Sequence, residues 1–263
     1  MTRLTISAIA LAAAGAAPAL AQDTDATAQD AIDAGKINLN TWTYSDIYSG
    51  DGWSIEEMFG EPVYGETGDE IGDVEDFVLN ADGEIVAMIA EVGGFWDIAD
   101  THVGVPLQQV DMSGARITIP VTEQTVNDYD LFEYSGLPGT ELGQGVTTGL
   151  DDVPLTTDAW RASDLIGDYV RIQDDSGGSW LNYGYVSDLI ISDGSISATI
   201  VGTAGSYGPG TYAYPYYSPR TYGAIDGTPA GGWAPGNPTY DLPYLEGDVA
   251  ELPEFDYERM NNS

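Results

Sequence analysis

One pattern of turns and packing residues occurs twice in this chain, and that recurrence constrains the fold more than any other feature. The first copy reads Phe59-Gly60-x-x-Val63, then Gly72-x-Val74-x-Asp76-Phe77-x-Leu79, then Asp82-Gly83-x-Ile85-x-Ala87-x-Ile89. The second reads Ile166-Gly167-x-x-Val170, then Gly184-x-Val186-x-Asp188-Leu189-x-Ile191, then Asp193-Gly194-x-Ile196-x-Ala198-x-Ile200. Val105-Pro106 is matched by Tyr214-Pro215, and Val126…Phe132-x-Tyr134 by Val249…Phe255-x-Tyr257. One order and spacing used twice implies one fold used twice. The 263 residues leave room for two units, each able to bury a small core.

Within each copy the signals are those of short strands. Ser54 followed by Glu57 forms a capping box for one helical turn, which Gly60 ends. Asn80-Ala81-Asp82-Gly83 is a hairpin turn, with Gly83 free to take positive φ. Glu84 to Val92 is apolar on both alternating faces and predicts a strand buried on both sides. His102–Leu107 and Ala115–Val121 are two further strands. Lys36 to Tyr44 alternates at Ile37, Leu39 and Trp42, so a strand added to the first unit is expected there. Turns every 8 to 12 residues between short apolar runs point to small β-barrels. The second copy carries a longer first hairpin, with Gly167 to Gly184 spanning 17 positions against 12 for Gly60 to Gly72. Asp174-Asp175-Ser176-Gly177-Gly178 fills the difference.

The start of the chain reads as an export signal. Arg3 supplies the charge, Ile6–Ala17 the apolar run, and Ala19-Leu20-Ala21 a cleavage pattern, with the cut expected after Ala21. The expected location is periplasmic or secreted, with no transmembrane segment in the mature chain. With 43 acids against 7 bases the net charge is −36, which opposes binding to nucleic acid or anionic lipid. Such acidity fits either a cation-responsive surface or a salty habitat. No cysteine is present, so packing alone must hold the fold.

The first copy resembles the PRC-barrel family. The resemblance rests on Glu61-Pro62-Val63-Tyr64, Gly68-x-x-Ile71-Gly72-x-Val74-x-Asp76, Asp82-Gly83-x-Ile85, Gly93-Gly94-Phe95 and Thr101-His102-Val103-Gly104-Val105-Pro106. It covers residues 53 to 112 well and 160 to 217 less closely, and looks most like the exported bacterial branch. The second copy lacks the Gly-Gly-Phe segment. The resemblance implies an assembly or adaptor module with no shared catalytic residues.

The expected fold is therefore all-β: two tandem small β-barrels of PRC-barrel type with an irregular Tyr/Pro-rich C-terminal segment. The units are a signal peptide at 1–21, a disordered tether at 22–36, a first barrel at 37–135, a linker at 136–158, a second barrel-like unit at 159–257 and a tail at 258–263. Leu252, Phe255 and Tyr257 are expected to pack back onto the barrels. No catalytic constellation, metal site or cofactor motif is expected, and the hairpin acids are read as turns because the spacing of a calcium loop is absent. His102 is read as structural, since a lone histidine cannot build a multi-histidine site. Tyr212, Tyr214, Tyr216, Tyr217, Tyr222 and Trp233 lie in a Pro-rich strip that either presents a contact surface or closes an incomplete core. The strip is the first choice as binding surface, and the groove between the units the second. The expected function is a non-enzymatic binding or assembly module of the bacterial cell envelope with a protein partner. The alternative is an acidic, cation-responsive periplasmic protein, and an enzyme is the least expected.

Overall fold

The computed structural model describes residues 36–42, 44–49, 51–80, 82–93, 101–114, 116–122, 124–126, 159–217, 232, 238–250 and 252–260. The predicted export signal and linker, the Phe132–Tyr134 match, Tyr222 and Trp233 lie outside them. The elements run α1 (Ser45–Ser49), β1 (Trp53–Ser54), α2 (Ile55–Met58), β2 (Pro62–Tyr64), β3 (Glu70–Asn80), β4 (Ile85–Val92), β5 (Thr101–Pro106) and β6 (Ile117–Thr118). After the linker come β7 (Ala159–Arg161), α3 (Ala162–Leu165), β8 (Tyr169–Gln173), β9 (Trp180–Ser192), β10 (Ser195–Thr203), β11 (Gly210–Tyr214), β12 (Thr239–Leu245) and α4 (Glu246–Val249).

The described chain is mostly β, in two six-stranded sheets of matching order. The first runs β5-β4-β3-β2-β6 and the second β11-β10-β9-β8-β12. The closing strand pairs parallel in both, β6 on β2 and β12 on β8. Three bulges also recur. Ile71, Glu75 and Val86 are skipped in the first sheet, and Tyr183, Ser187 and Ser197 in the second. Each extra residue bends its strand and increases the local twist, which curls a short sheet toward a barrel. Among the described residues no ladder joins the end strands, so each sheet stays open in its hydrogen bonding.

The repeated glycines have a steric cause. A Cβ on Gly72 would sit 1.9 Å from the Glu91 carbonyl oxygen, and one on Gly184 would sit 2.2 Å from that of Gly202. Only glycine allows these strands to approach so closely.

The two units exchange their first strands. β1, which precedes the first sheet, pairs with β9 of the second (Trp53 opposite Ile191, Ser54 opposite Ile190). β7, which precedes the second sheet, pairs with β3 of the first (Trp160 opposite Leu79, Arg161 opposite Val78). The hairpin tips also meet, with Glu84 bridging to Ser195. One apolar core runs through both units, from Val63, Phe77 and Val105 to Val186, Leu189 and Tyr214.

The strand expected at Lys36–Tyr44 is absent. Asn38 turns the chain: its carbonyl oxygen accepts from the Thr41 and Trp42 amides, and its side chain accepts from the Asn40 amide. A turn held by a side chain in this way competes with strand pairing. The segment and α1 pack on the second sheet, where Tyr44, Ile47 and Tyr48 contact Ile190, Ile200, Ala213 and Phe255. Phe255 and Tyr257 from the C-terminal segment join this cluster.

Candidate functional site

Among the described residues of the tyrosine strip, none is exposed. Tyr214 and Tyr217 are fully buried, which corrects their expected place on a contact surface. Each hydroxyl is matched. Tyr214 pairs with the Tyr183 hydroxyl at 2.7 Å, and Tyr217 with that of Tyr244 at 2.5 Å. The Tyr217 hydroxyl accepts from the Ile37 amide at 3.1 Å, and the Tyr244 hydroxyl donates to the Ile37 carbonyl at 2.9 Å. Tyr44 does the same for the other end of the chain, donating to the Pro253 carbonyl and accepting from the Ala213 amide. The tyrosines thus clamp both terminal segments onto the second sheet. Burial pushes the Tyr44, Tyr214 and Tyr240 phenols well above their ordinary range, so they stay neutral. Tyr212 and Tyr216 are half-buried. Tyr216 stacks on Tyr240, and among the described residues its hydroxyl has no partner.

The second expected surface, the groove between units, is largely a packed junction built on two equivalent aspartates. Asp188 accepts from the Ser54 hydroxyl at 2.6 Å and from the Glu56 amide at 3.0 Å, both belonging to the other unit. Asp76 accepts from the Ser163 hydroxyl and, at 3.3 Å, from the Ser163 amide. Each aspartate therefore caps the helical turn that follows the exchanged strand. Burial raises both carboxyls. Asp76 reaches about 6, and its hydrogen bonds to Ser163 and Phe77 pull it partway back down. Asp188 is also raised, and is held down by Ser54 and by the backbone amides of Glu56 and Leu189. A pocket of 430 Å³ lies where the two hairpin tips meet, lined by Glu84, Leu107, Asp193 and Ser195.

The described surface carries one aromatic pair that the sequence reading passed over. Tyr169 and Tyr185 face each other across β8 and β9 and are 64% and 46% exposed. The Tyr185 ring lies across Gly202, whose missing side chain makes room for it. The register continues to Thr211 on β11. The equivalent row of the first sheet is Pro62, Asp73, Glu91 and His102. There Pro62 and Asp73 stand where the second sheet places its two rings, and Glu91 stands where it has Gly202. His102 is buried, with Nδ1 2.5 Å from Glu75 Oε2 on a bulge of β3. The available signal is one tyrosine at an outward position of each of two paired strands, obscured by the glycine and valine motifs that hold them.

Among the described residues no three histidine, aspartate or glutamate side chains converge as a metal-binding group. In the hairpin of the second unit, Asp174 meets local donors and Asp175 Oδ1 accepts from the Gly247 amide. Asp174 Oδ1 accepts from Ser176 and from the Gly178 amide, which holds its carboxyl below the usual range. Among the described residues no helix is long and apolar enough to cross a membrane.

Bulged, glycine-hinged short sheets whose buried polar groups serve packing define a small all-β module. Residues 51–126 match the family model described as PRC-barrel domain, and the first unit is a PRC-barrel domain. Such domains are generally non-catalytic and often mediate protein interactions. The match ends before the second sheet, which repeats the first in strand order, bulges and hinge glycine. No curated protein matches the chain.

Proposed function

We propose that this protein is a non-enzymatic binding module of the bacterial cell envelope, exported by its N-terminal signal and docking a protein partner through the Tyr169–Tyr185 face. The observation that carries the reading is the exposure of two cross-strand tyrosines on one sheet face. Tyrosine suits an interface because it buries a large apolar ring while its hydroxyl still finds water or a partner. The surrounding charge of −36 selects a partner with an apolar centre and a basic rim. Neither ring is needed by the core, so both can be replaced without unfolding the sheet.

The test is capture of partners from envelope extract by the mature protein and by a Tyr169→Ser, Tyr185→Ser variant. A specific protein retained by the first and lost by the second, with unchanged melting of the variant, is the expected result. Equal retention by both proteins would overturn the assignment of this face.

A further inference from the structure

Away from the aromatic face, pockets of 320 and 380 Å³ share Leu39, Asn40 and Asp248 and form one cleft. It lies between the turn at 36–42, α4 and the C-terminal segment. Half-buried Trp42 lines one side. Lys36 donates to Asp248 Oδ2 at 2.5 Å, and the Leu245 amide donates to the same oxygen, so neither uses Oδ1. Arg259 lies over the Tyr48 ring at 4.0 Å, and Glu254 completes the charged lining. Among the described residues the exposed Asn40 side-chain amide has no partner.

We propose that this cleft binds a neutral saccharide. Two features select that chemistry. The first is charge. Lys36 and Arg259 cancel Asp248 and Glu254, a local balance in a chain of net charge −36. An anion entering the cleft would still meet the field of the whole molecule, and a cation would find stronger attraction almost anywhere else on it. The second is the pairing of an aromatic plane with convergent donors and acceptors. A sugar ring has an apolar C–H face to lay on Trp42 and a rim of hydroxyls for the Asn40 amide, the Lys36 amine and Asp248 Oδ1. A purely apolar ligand would cover those groups and leave them unpaired, which is costly.

The experiment titrates the mature protein with cellobiose and, separately, with the N-acetylated disaccharide chitobiose, followed by tryptophan fluorescence and by calorimetry. Saturable binding of at least one disaccharide is expected, with glucuronic acid binding more weakly. Asn40→Ala, whose exposed side chain leaves folding intact, and Trp42→Ala are each expected to weaken it by about tenfold or more. The Tyr169→Ser, Tyr185→Ser variant is expected to bind sugar like the wild type, which separates this site from the docking face. Absence of saturable binding by both disaccharides, or undiminished binding by Asn40→Ala, would overturn the proposal.

Discussion

At register positions where the first unit buries Ile71, Val105 and Ile117, the second buries Tyr183, Tyr214 and Tyr240. Strand order, bulges and hinge glycines are the same around both sets. An aliphatic core asks only for volume, whereas a tyrosine core also asks for a partner for every hydroxyl. Apart from the Tyr216 hydroxyl, the second unit meets that demand by pairing hydroxyls and by bonding a flanking segment at Ile37 through Tyr217 and Tyr244, while Tyr44 of that segment bonds to Ala213 and to the Pro253 carbonyl. Among the described residues, these aliphatic positions need no hydrogen bond from a flanking segment. The tyrosine unit is complete only with segments 36–48 and 252–260 laid on it. One fold can therefore leave neighbouring chain unbound or collect it, according to what fills a few core positions.

Four measurements would sharpen or break this comparison. The largest effect is expected from Tyr216→Ala combined with Tyr217→Ala. It should cost about 4 kcal/mol or more and lower the melting temperature of the whole chain, because Tyr217 is fully buried. A variant that melts like the wild type would return these rings to the surface. Gly72→Ala and Gly184→Ala come next, each expected to cost about 3 kcal/mol in denaturant unfolding. Similar losses support equivalence of the two hinges. A loss confined to Gly72 would mean that the second sheet is only an outline of the first.

The third measurement is stability against pH. The Asp76 carboxyl is raised by burial from 3.8 to about 6, so the folded state holds its proton more tightly than the unfolded state does. Its contribution is therefore fullest below about pH 4 and falls as pH rises toward 6, by about 3 kcal/mol in all. Asp76→Asn should flatten that slope in chemical denaturation at stepped pH. Asp188→Asn should also flatten the slope, since its carboxyl is raised too. An unchanged slope in both would show that the junction aspartates are solvated. The smallest expected effect is from Tyr214→Phe. It leaves the Tyr183 hydroxyl without its partner and should cost about 1 kcal/mol. Val105→Thr tests the contrast, since it adds a hydroxyl to a core built without one, and it should cost at least as much.

The sequence announced what local chemistry controls. Ser54 caps its helical turn and accepts from the Glu57 amide as the capping box implies, and Gly83 takes positive φ in its hairpin. The strand Ile85–Val92 is buried on both faces, as the double apolar alternation of Glu84 to Val92 indicates. What stayed hidden needs distant partners to reveal it. A two-residue strand such as Trp53–Ser54 has no periodicity, so nothing local says that it belongs to the other unit's sheet. Tyr214 and Tyr217 could be read either way because the ring is apolar and the hydroxyl polar, and composition alone cannot say which end decides. The alternation from Ile37 to Trp42 misled because Asn38 captures the backbone before a strand can pair.

The exchange of β1 and β7 has a consequence for how the chain is made. Ser54 meets Asp188 across a separation of 134 residues. During synthesis, then, the strand that opens the PRC-barrel domain leaves the ribosome early and waits for most of the remaining chain before its place exists. Contacts of such range are slow to form and keep an unpaired edge available in the interval. Under the export proposed above, that delay has a use: the chain stays loose enough to be threaded across a membrane, and its two halves lock together only when both have arrived on the far side.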